Sequence, residues 1–218
     1  MSLKQYPAGA GLAEFRKAVR DRRKSMDPRE LASLGGNVCA RFLSLARDLR
    51  WSGLKISLYR PLTDELPIGT LEMELHRMGA QLYYPRMIPG EADASERIIM
   101  CRVLDPHGPV WHVGPYGIQE PGPMAEECAP ESLDLIFVPG LAFGASGERV
   151  GMGKGHYDRY LVHATSALRI ALTLDLQLFE SIPQNSWDQP VDWVVSENRE
   201  LRTTRATAWL AGKGRVAS

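Results

Sequence analysis

Three apolar runs limit what this chain can fold into: "LDLIFVPG" (133–140), "LRIALTLD" (168–175) and "VDWVVSE" (191–197). A strand with one wet face alternates apolar and polar residues. A strand that is apolar throughout is covered on both faces, the usual condition of a parallel sheet. Helical patterns lie between and before these runs. Leu12, Phe15, Val19 and Met26 fall near one face of a helix over 11–26. Asp27-Pro28 reads as an N-cap followed by proline at the first helical position. A second helix then reaches about residue 49, with Gly35-Gly36 weakening its middle. "GLKISLYRP" is a strand stopped by Pro61, "IGTLEMELHRMG" a helix ending at Gly79, and "AQLYYPR" the next strand. Residues 87–130 are rich in Pro and Gly but hold a further strand, "ERIIMCRVL". "YDRYLVHAT" is helical. Strands alternating with helices give the fold class: α/β, layered, with a mostly parallel sheet.

Composition narrows the function classes. Of 218 residues, 44% are hydrophobic and 24% charged, the balance of a globular chain. The formal net charge is zero, so bulk electrostatics give no reason to expect nucleic acid or an anionic membrane as partner. The three cysteines, Cys39, Cys101 and Cys128, form no CxxC pair and suggest neither a disulfide framework nor a zinc site. No stretch resembles a signal peptide or a bilayer span. The expectation is a cytoplasmic protein with a single domain over 11–210 and flexible tails at 1–10 and 211–218.

The stretch most suggestive of chemistry follows the first buried run: "GLAFGASGERVGMGKGHYDRYL". Ligands of parallel sheets sit beyond the carboxyl ends of strands. Glycines let the backbone come close to a ligand, and successive N–H groups make an anion-binding concavity. Arg149 and Lys154 add full charges. The spacing is wrong for a Walker loop, since Gly155 follows Lys154 where Ser or Thr is required. It is also poor for a dinucleotide fingerprint, whose glycines belong in the tight turn after the strand. The plainer reading is a surface loop with solvated charges.

This stretch resembles the 5-formyltetrahydrofolate cyclo-ligase family, whose members read PGLAFD and then G-x-R-L-G-x-G-x-G-Y-Y-D-R-Y-L. Weaker likenesses lie in "FRKAVRDRRKSM", "YRPLTDELP", "YGIQEP" and "NSWDQPVDWVVSE". The resemblance implies a Rossmann-like three-layer sandwich and a monomer. It also implies ATP-dependent, magnesium-requiring conversion of 5-formyltetrahydrofolate to 5,10-methenyltetrahydrofolate, with ADP and phosphate released. The partners implied are ATP and a reduced folate, with or without a polyglutamate tail, and neither nucleic acid nor membrane.

Roles carry over residue by residue. Arg149, Lys154 and Tyr157 take catalytic roles. Arg16 and the run Arg149, Val150, Gly151, Met152, Gly153, Lys154, Gly155, His156 and Tyr157 match the ATP site. Glu65 matches the acidic residue that holds the pterin, and residues 152–156 also lie near the formyl group. Asp158 and Asp188 match magnesium-associated carboxylates. Each has a plainer reading. Asp158 is then a charge at a helix start, Asp188 a turn cap and Tyr157 a core aromatic. Glu65 is then turn chemistry, with Asp64 as the alternative assignment. The stripe Arg16, Arg20 and Arg23 is then a solvated face. His107 and His112 read as surface residues.

Three positions depart from the family pattern: Leu12 stands for Lys, Gly144 for Asp, and His156 for Tyr. They motivate an alternative, a divergent member that binds nucleotide or folate with another substrate or no turnover. A third reading, an RNA-associated module built on the basic helix, lacks an aromatic RNA-binding pattern.

Overall fold

Asp27 does what its place before a proline suggests. Its carboxylate accepts the backbone N–H of Arg29 (2.7 Å) and Glu30 (3.3 Å), starting a helix at Pro28. Such a cap contributes about 1 kcal/mol. In the computed structural model, which describes residues 2–90 and 96–213, this helix is α2 (Pro28–Leu45), preceded by α1 (Leu12–Lys24). Gly35 does not break α2: a Cβ there would lie 2.7 Å from Pro67, so glycine admits the turn that packs on the helix.

The chain continues as β1 (Lys55–Ser57), α3 (Gly69–Arg77), β2 (Gln81–Ile88) and β3 (Arg97–Val103). The Pro/Gly-rich middle supplies β4 (Trp111–Val113), β5 (Gln119–Pro121) and β6 (Glu127–Cys128). Then come β7 (Leu135–Phe137), β8 (Ala142–Gly144), β9 (Arg149–Val150), α4 (His156–Leu161), β10 (Leu168–Leu172) and β11 (Leu178–Phe179). The last elements are β12 (Trp193–Val195), β13 (Glu200–Arg202) and α5 (Thr204–Lys213).

The expected strands are present but short. The run from 53 to 61 pairs only over β1, because the chain turns towards a cavity before Pro61. Eight strands form one sheet in the order β13-β12-β10-β7-β1-β2-β3-β6. Its centre is parallel, from β12 through β10, β7 and β1 to β2. Both edges are antiparallel.

The apolar runs are covered on both faces, as their composition requires. On one face Leu135, Phe137, Ile170 and Trp193 pack with α2, α3 and the Ala206 end of α5. On the other, Ile136, Ala171 and Val194 pack with Tyr160 and Leu161 of α4. This makes three layers. A second, three-stranded sheet, β11-β8-β9, carries the glycine-rich stretch, and Phe15 and Val19 of α1 close over it. Helix α1 thus packs on the glycine stretch rather than on the main sheet.

The segment read as a loose tail is engaged where the structure describes it. Lys4 bridges to Phe179, Leu3 packs on the core, and Tyr6 meets the Phe15 ring at 4.7 Å. At the other end α5 runs to Lys213, and residues 214–218 lie outside the described ones. Among the described residues no helix is long and apolar enough to cross a membrane.

Candidate functional site

The strand order reverses between β1 and β7: the chain builds towards β2 on one side and towards β10 on the other. Loops diverge at such a point and leave a crevice beyond the carboxyl ends. A cavity of about 960 Å³ opens there, bordered by Tyr59 and Arg60 after β1 and by Pro139 and Gly140 after β7. Leu12, Arg16 and Arg20 of α1 form one wall, with the whole loop from Arg149 to Asp158. Glu65 and Asp188 also line it. Every residue assigned a role from the sequence therefore faces a single space.

Arginine side chains hold the loop and its ends in place. Arg149 is 4% exposed. Its Nη1 donates to the Pro139 carbonyl (3.2 Å) and its Nη2 to Asp158 Oδ1 (2.5 Å). One side chain thus ties the end of β7 to α4, the helix that follows the loop. Asp158 Oδ1 also accepts the Gln189 N–H at 3.1 Å. Arg16 Nε donates to the Gly151 carbonyl (3.1 Å), and Arg159 Nη1 to that of Lys154 (3.0 Å). Gly153 and Gly155 sit at φ +96° and +66°, conformations that side-chain-bearing residues rarely adopt. Lys154 is exposed, and among the described residues its ammonium has no partner. It is the free charge of the loop.

Asp188 is the turn cap of its plainer reading, accepting from Asn185 N (2.7 Å) and Nδ2 (3.1 Å) while facing the cavity. Asp64 and Glu65 differ in their partners. Asp64 turns to Arg23 of α1, whose Nη2 and Nε donate to one carboxylate oxygen at 2.7 and 3.1 Å. Glu65 faces the cavity and accepts the Leu62 N–H at 3.0 Å. Burial raises its pKa, opposed by that N–H and by Arg23. Tyr157 has a buried hydroxyl without a partner, and burial followed by the charge of Glu65 pushes its pKa up. His156 accepts from Arg159 Nη2 at Nδ1 (3.1 Å), because a guanidinium can only donate. Its Nε2 is buried and has no hydrogen-bond partner among the described residues. Burial and Arg159 hold its pKa below the usual histidine value.

A model of the 5-formyltetrahydrofolate cyclo-ligase family matches residues 10–197. The chain belongs to this family. It is 29% identical to the mouse 5-formyltetrahydrofolate cyclo-ligase over 66% of this chain and 73% of that one. It is 25% identical to the Escherichia coli K12 protein of the same name over 83% and 97%. Among solved structures, the Aquifex aeolicus 5,10-methenyltetrahydrofolate synthetase superposes with a TM-score of 0.74 at 32% identity, covering 88% of this chain and 93% of that one.

The departures from the cyclo-ligase pattern have local explanations. At Gly144 a Cβ would meet the Glu148 carboxylate at 2.3 Å. Glu148 accepts the Ser146 N–H (2.9 Å) and so brings to this turn the acidic group that the family carries at position 144. Leu12 leaves the cavity wall without the family's lysine, while Arg16 and Arg20 stand along the same helix.

The structure also gives places to residues that the sequence left without a role. Arg20 is not on a solvated face: it lines the cavity and reaches Met152 Sδ at 3.6 Å. Arg23 is 2% exposed. Arg60 lies over the Trp111 ring at 3.8 Å and pairs with Glu72 at 2.8 Å. Glu120, 4% exposed, reaches the cavity from β5. The signal for it was the likeness of "YGIQEP" to the family's Gly-Ile-x-Glu-Pro, in which Glu120 holds the acid position.

Proposed function

We propose that this protein is an ATP-dependent 5-formyltetrahydrofolate cyclo-ligase, forming 5,10-methenyltetrahydrofolate with release of ADP and phosphate. One observation carries the reading. The glycine loop with its free ammonium and the buried carboxylate of Glu65 face the same cavity, large enough for a drug-sized ligand and more. Phosphoryl transfer rests on positioning and charge neutralisation. Backbone N–H groups of Gly151–Gly155 cradle the phosphates of ATP, with Arg16 and Lys154 as cations. Arg149 fixes the loop's entry and Asp158. The Glu65 carboxylate accepts paired N–H donors of the pterin, a geometry that suits two acceptor oxygens. The partnerless hydroxyl of Tyr157 supplies a donor beside the transferring group.

Magnesium fits as an ion shared with substrate. Among the described residues no group of three or more acidic, histidine or cysteine side chains forms a metal cage. Magnesium with nucleotides needs only one or two carboxylates, the remaining ligands being phosphate oxygens and water. Asp158 and Asp188 each have one oxygen that no described residue hydrogen-bonds, Oδ2 and Oδ1 respectively. They would hold the ion, which supplies neutralising charge to the phosphates. The expected setting is a cytoplasmic monomer, consistent with three free, buried cysteines. Leu12 supports the second reading, binding without this turnover. To separate the two, purified protein is mixed with 5-formyltetrahydrofolate, ATP and magnesium. Near-ultraviolet absorbance of the methenyl product together with ADP is expected. Folate-tightened nucleotide binding without either product points to the second reading.

A further inference from the structure

Ring closure, on the reaction proposed above, leaves a proton to be placed. The amine nitrogen N10 of the folate donates its lone pair to the activated formyl carbon. The carbon–oxygen bond breaks, and that oxygen departs with the transferred phosphoryl group as phosphate. N10 must also lose its hydrogen, and the methenyl product is a cation. A proton acceptor is therefore required, and a carboxylate can serve, becoming a neutral acid as it takes the proton.

The cavity offers four carboxylates. Asp158 is committed to Arg149, Asp188 to Asn185, and Glu65 lies in the pterin position beside Arg23. Glu120 differs from all three. It is 4% exposed and has no ion-pair partner among the described residues. Among the described residues its carboxylate keeps one hydrogen bond, from Met87 N to Oε2 at 3.1 Å. Its cavity neighbours Pro85, Met87, Ile98 and Ile118 are apolar. Gly114 packs so closely that a Cβ there would lie 2.2 Å from Glu120 Cδ, so the carboxylate is fixed in place. Other bases in the cavity are unsuitable. His156 has its Nδ1 engaged by Arg159 Nη2 at 3.1 Å and its Nε2 buried. The phenols of Tyr59 and Tyr157 are buried and hold their protons.

We propose that Glu120 is a catalytic residue of the ring-closing step, taking the N10 proton as N10 bonds to the formyl carbon. Its role is separate from phosphoryl transfer, which belongs to the loop across the cavity. The titratable groups that face it are Arg86 from β2, Glu96 and Cys101 from the β3 side, and His112 from β4.

The test uses Glu120→Gln, which keeps the shape and an oxygen for the Met87 N–H. Under single-turnover conditions with 5-formyltetrahydrofolate, ATP and magnesium, methenyl formation is expected to fall about a hundredfold or more. The acid limb of the wild-type pH–rate profile should vanish, while folate binding, read by tryptophan fluorescence, stays within about threefold. Glu120→Ala should regain rate with added formate, a readout that does not depend on the glutamine variant folding. A Glu120→Gln variant as fast as wild type overturns the inference, as does a loss of folate binding equal to the loss of rate or an alanine variant that formate does not restore. Wild-type protein that yields neither ADP nor methenyl product overturns the proposed reaction itself, a different outcome.

Discussion

Lys154 and Asp158 are four positions apart and opposite in what they hold. Lys154 is exposed and its ammonium has no partner among the described residues, so Lys154→Ala should leave stability within about 0.5 kcal/mol of wild type. Its loss should still lower kcat/KM roughly 10²–10³-fold, the effect of deleting a donor aimed at developing charge. Asp158 partners a guanidinium whose side chain is 3% exposed. Asp158→Asn therefore leaves a buried charge poorly matched and should cost about 3 kcal/mol of stability as well as weakening magnesium dependence. Thermal melts beside magnesium titrations check both; equal melting temperatures for the two variants would contradict the contrast. Gly144→Asp, which restores the family residue, should destabilise this chain by about 1 kcal/mol, because Glu148 already fills the space. Paired with Glu148→Ser the same change should be close to neutral, and a double-mutant cycle on melting temperature measures the coupling.

At the scale of elements, α1 couples the two halves of the site. Its Arg16 grips the loop at Gly151, and its Arg23 grips Asp64 next to Glu65. Arg23→Ala should cost roughly 3 kcal/mol by stranding Asp64, and should raise KM for folate more than for ATP because the pterin side loses its support. A variant with both KM values unchanged would make the pair structural only. This coupling was not legible in the sequence. Arg16, Arg20 and Arg23 read as a solvated stripe because charges on a helix usually are, and Asp64 lies 41 residues from Arg23. The buried strands were legible because β7, β10 and β12 are apolar runs that only a covered sheet accommodates. The small sheet β11-β8-β9 was not, since its strands are two or three residues long and set among glycines. The candidate site was legible through the family motif, which names residue types in order. Glu120 escaped because what distinguishes it, burial with no ion pair among the described residues, exists only once β5 lies against β2.

At the scale of the whole molecule, the cavity is a stability cost that ligand offsets. Burial raises the pKa of Glu65, Glu72, Glu120, Asp192 and Glu197. Such a group binds its proton more tightly folded than unfolded. Its contribution to stability is fully present below the ordinary value, 4.5 for a glutamate, and is lost as pH rises through the raised one. Glu65→Gln removes one such group and should keep the Leu62 N–H bond through its amide oxygen. Ligand-free, the variant should match wild type near pH 4 and melt higher at pH 7. With folate the order should reverse. A ligand at a hundred times its Kd adds about 2.7 kcal/mol to wild type, which for a chain this long is about 5–10 °C. The variant, lacking the acceptor for the pterin, should gain little. Melting curves at both pH values, with and without 5-formyltetrahydrofolate, give four comparisons. A variant that melts below wild type at pH 7 without ligand would show that Glu65 stabilises the fold as a charge. A variant that gains as much as wild type from folate would remove Glu65 from the pterin site.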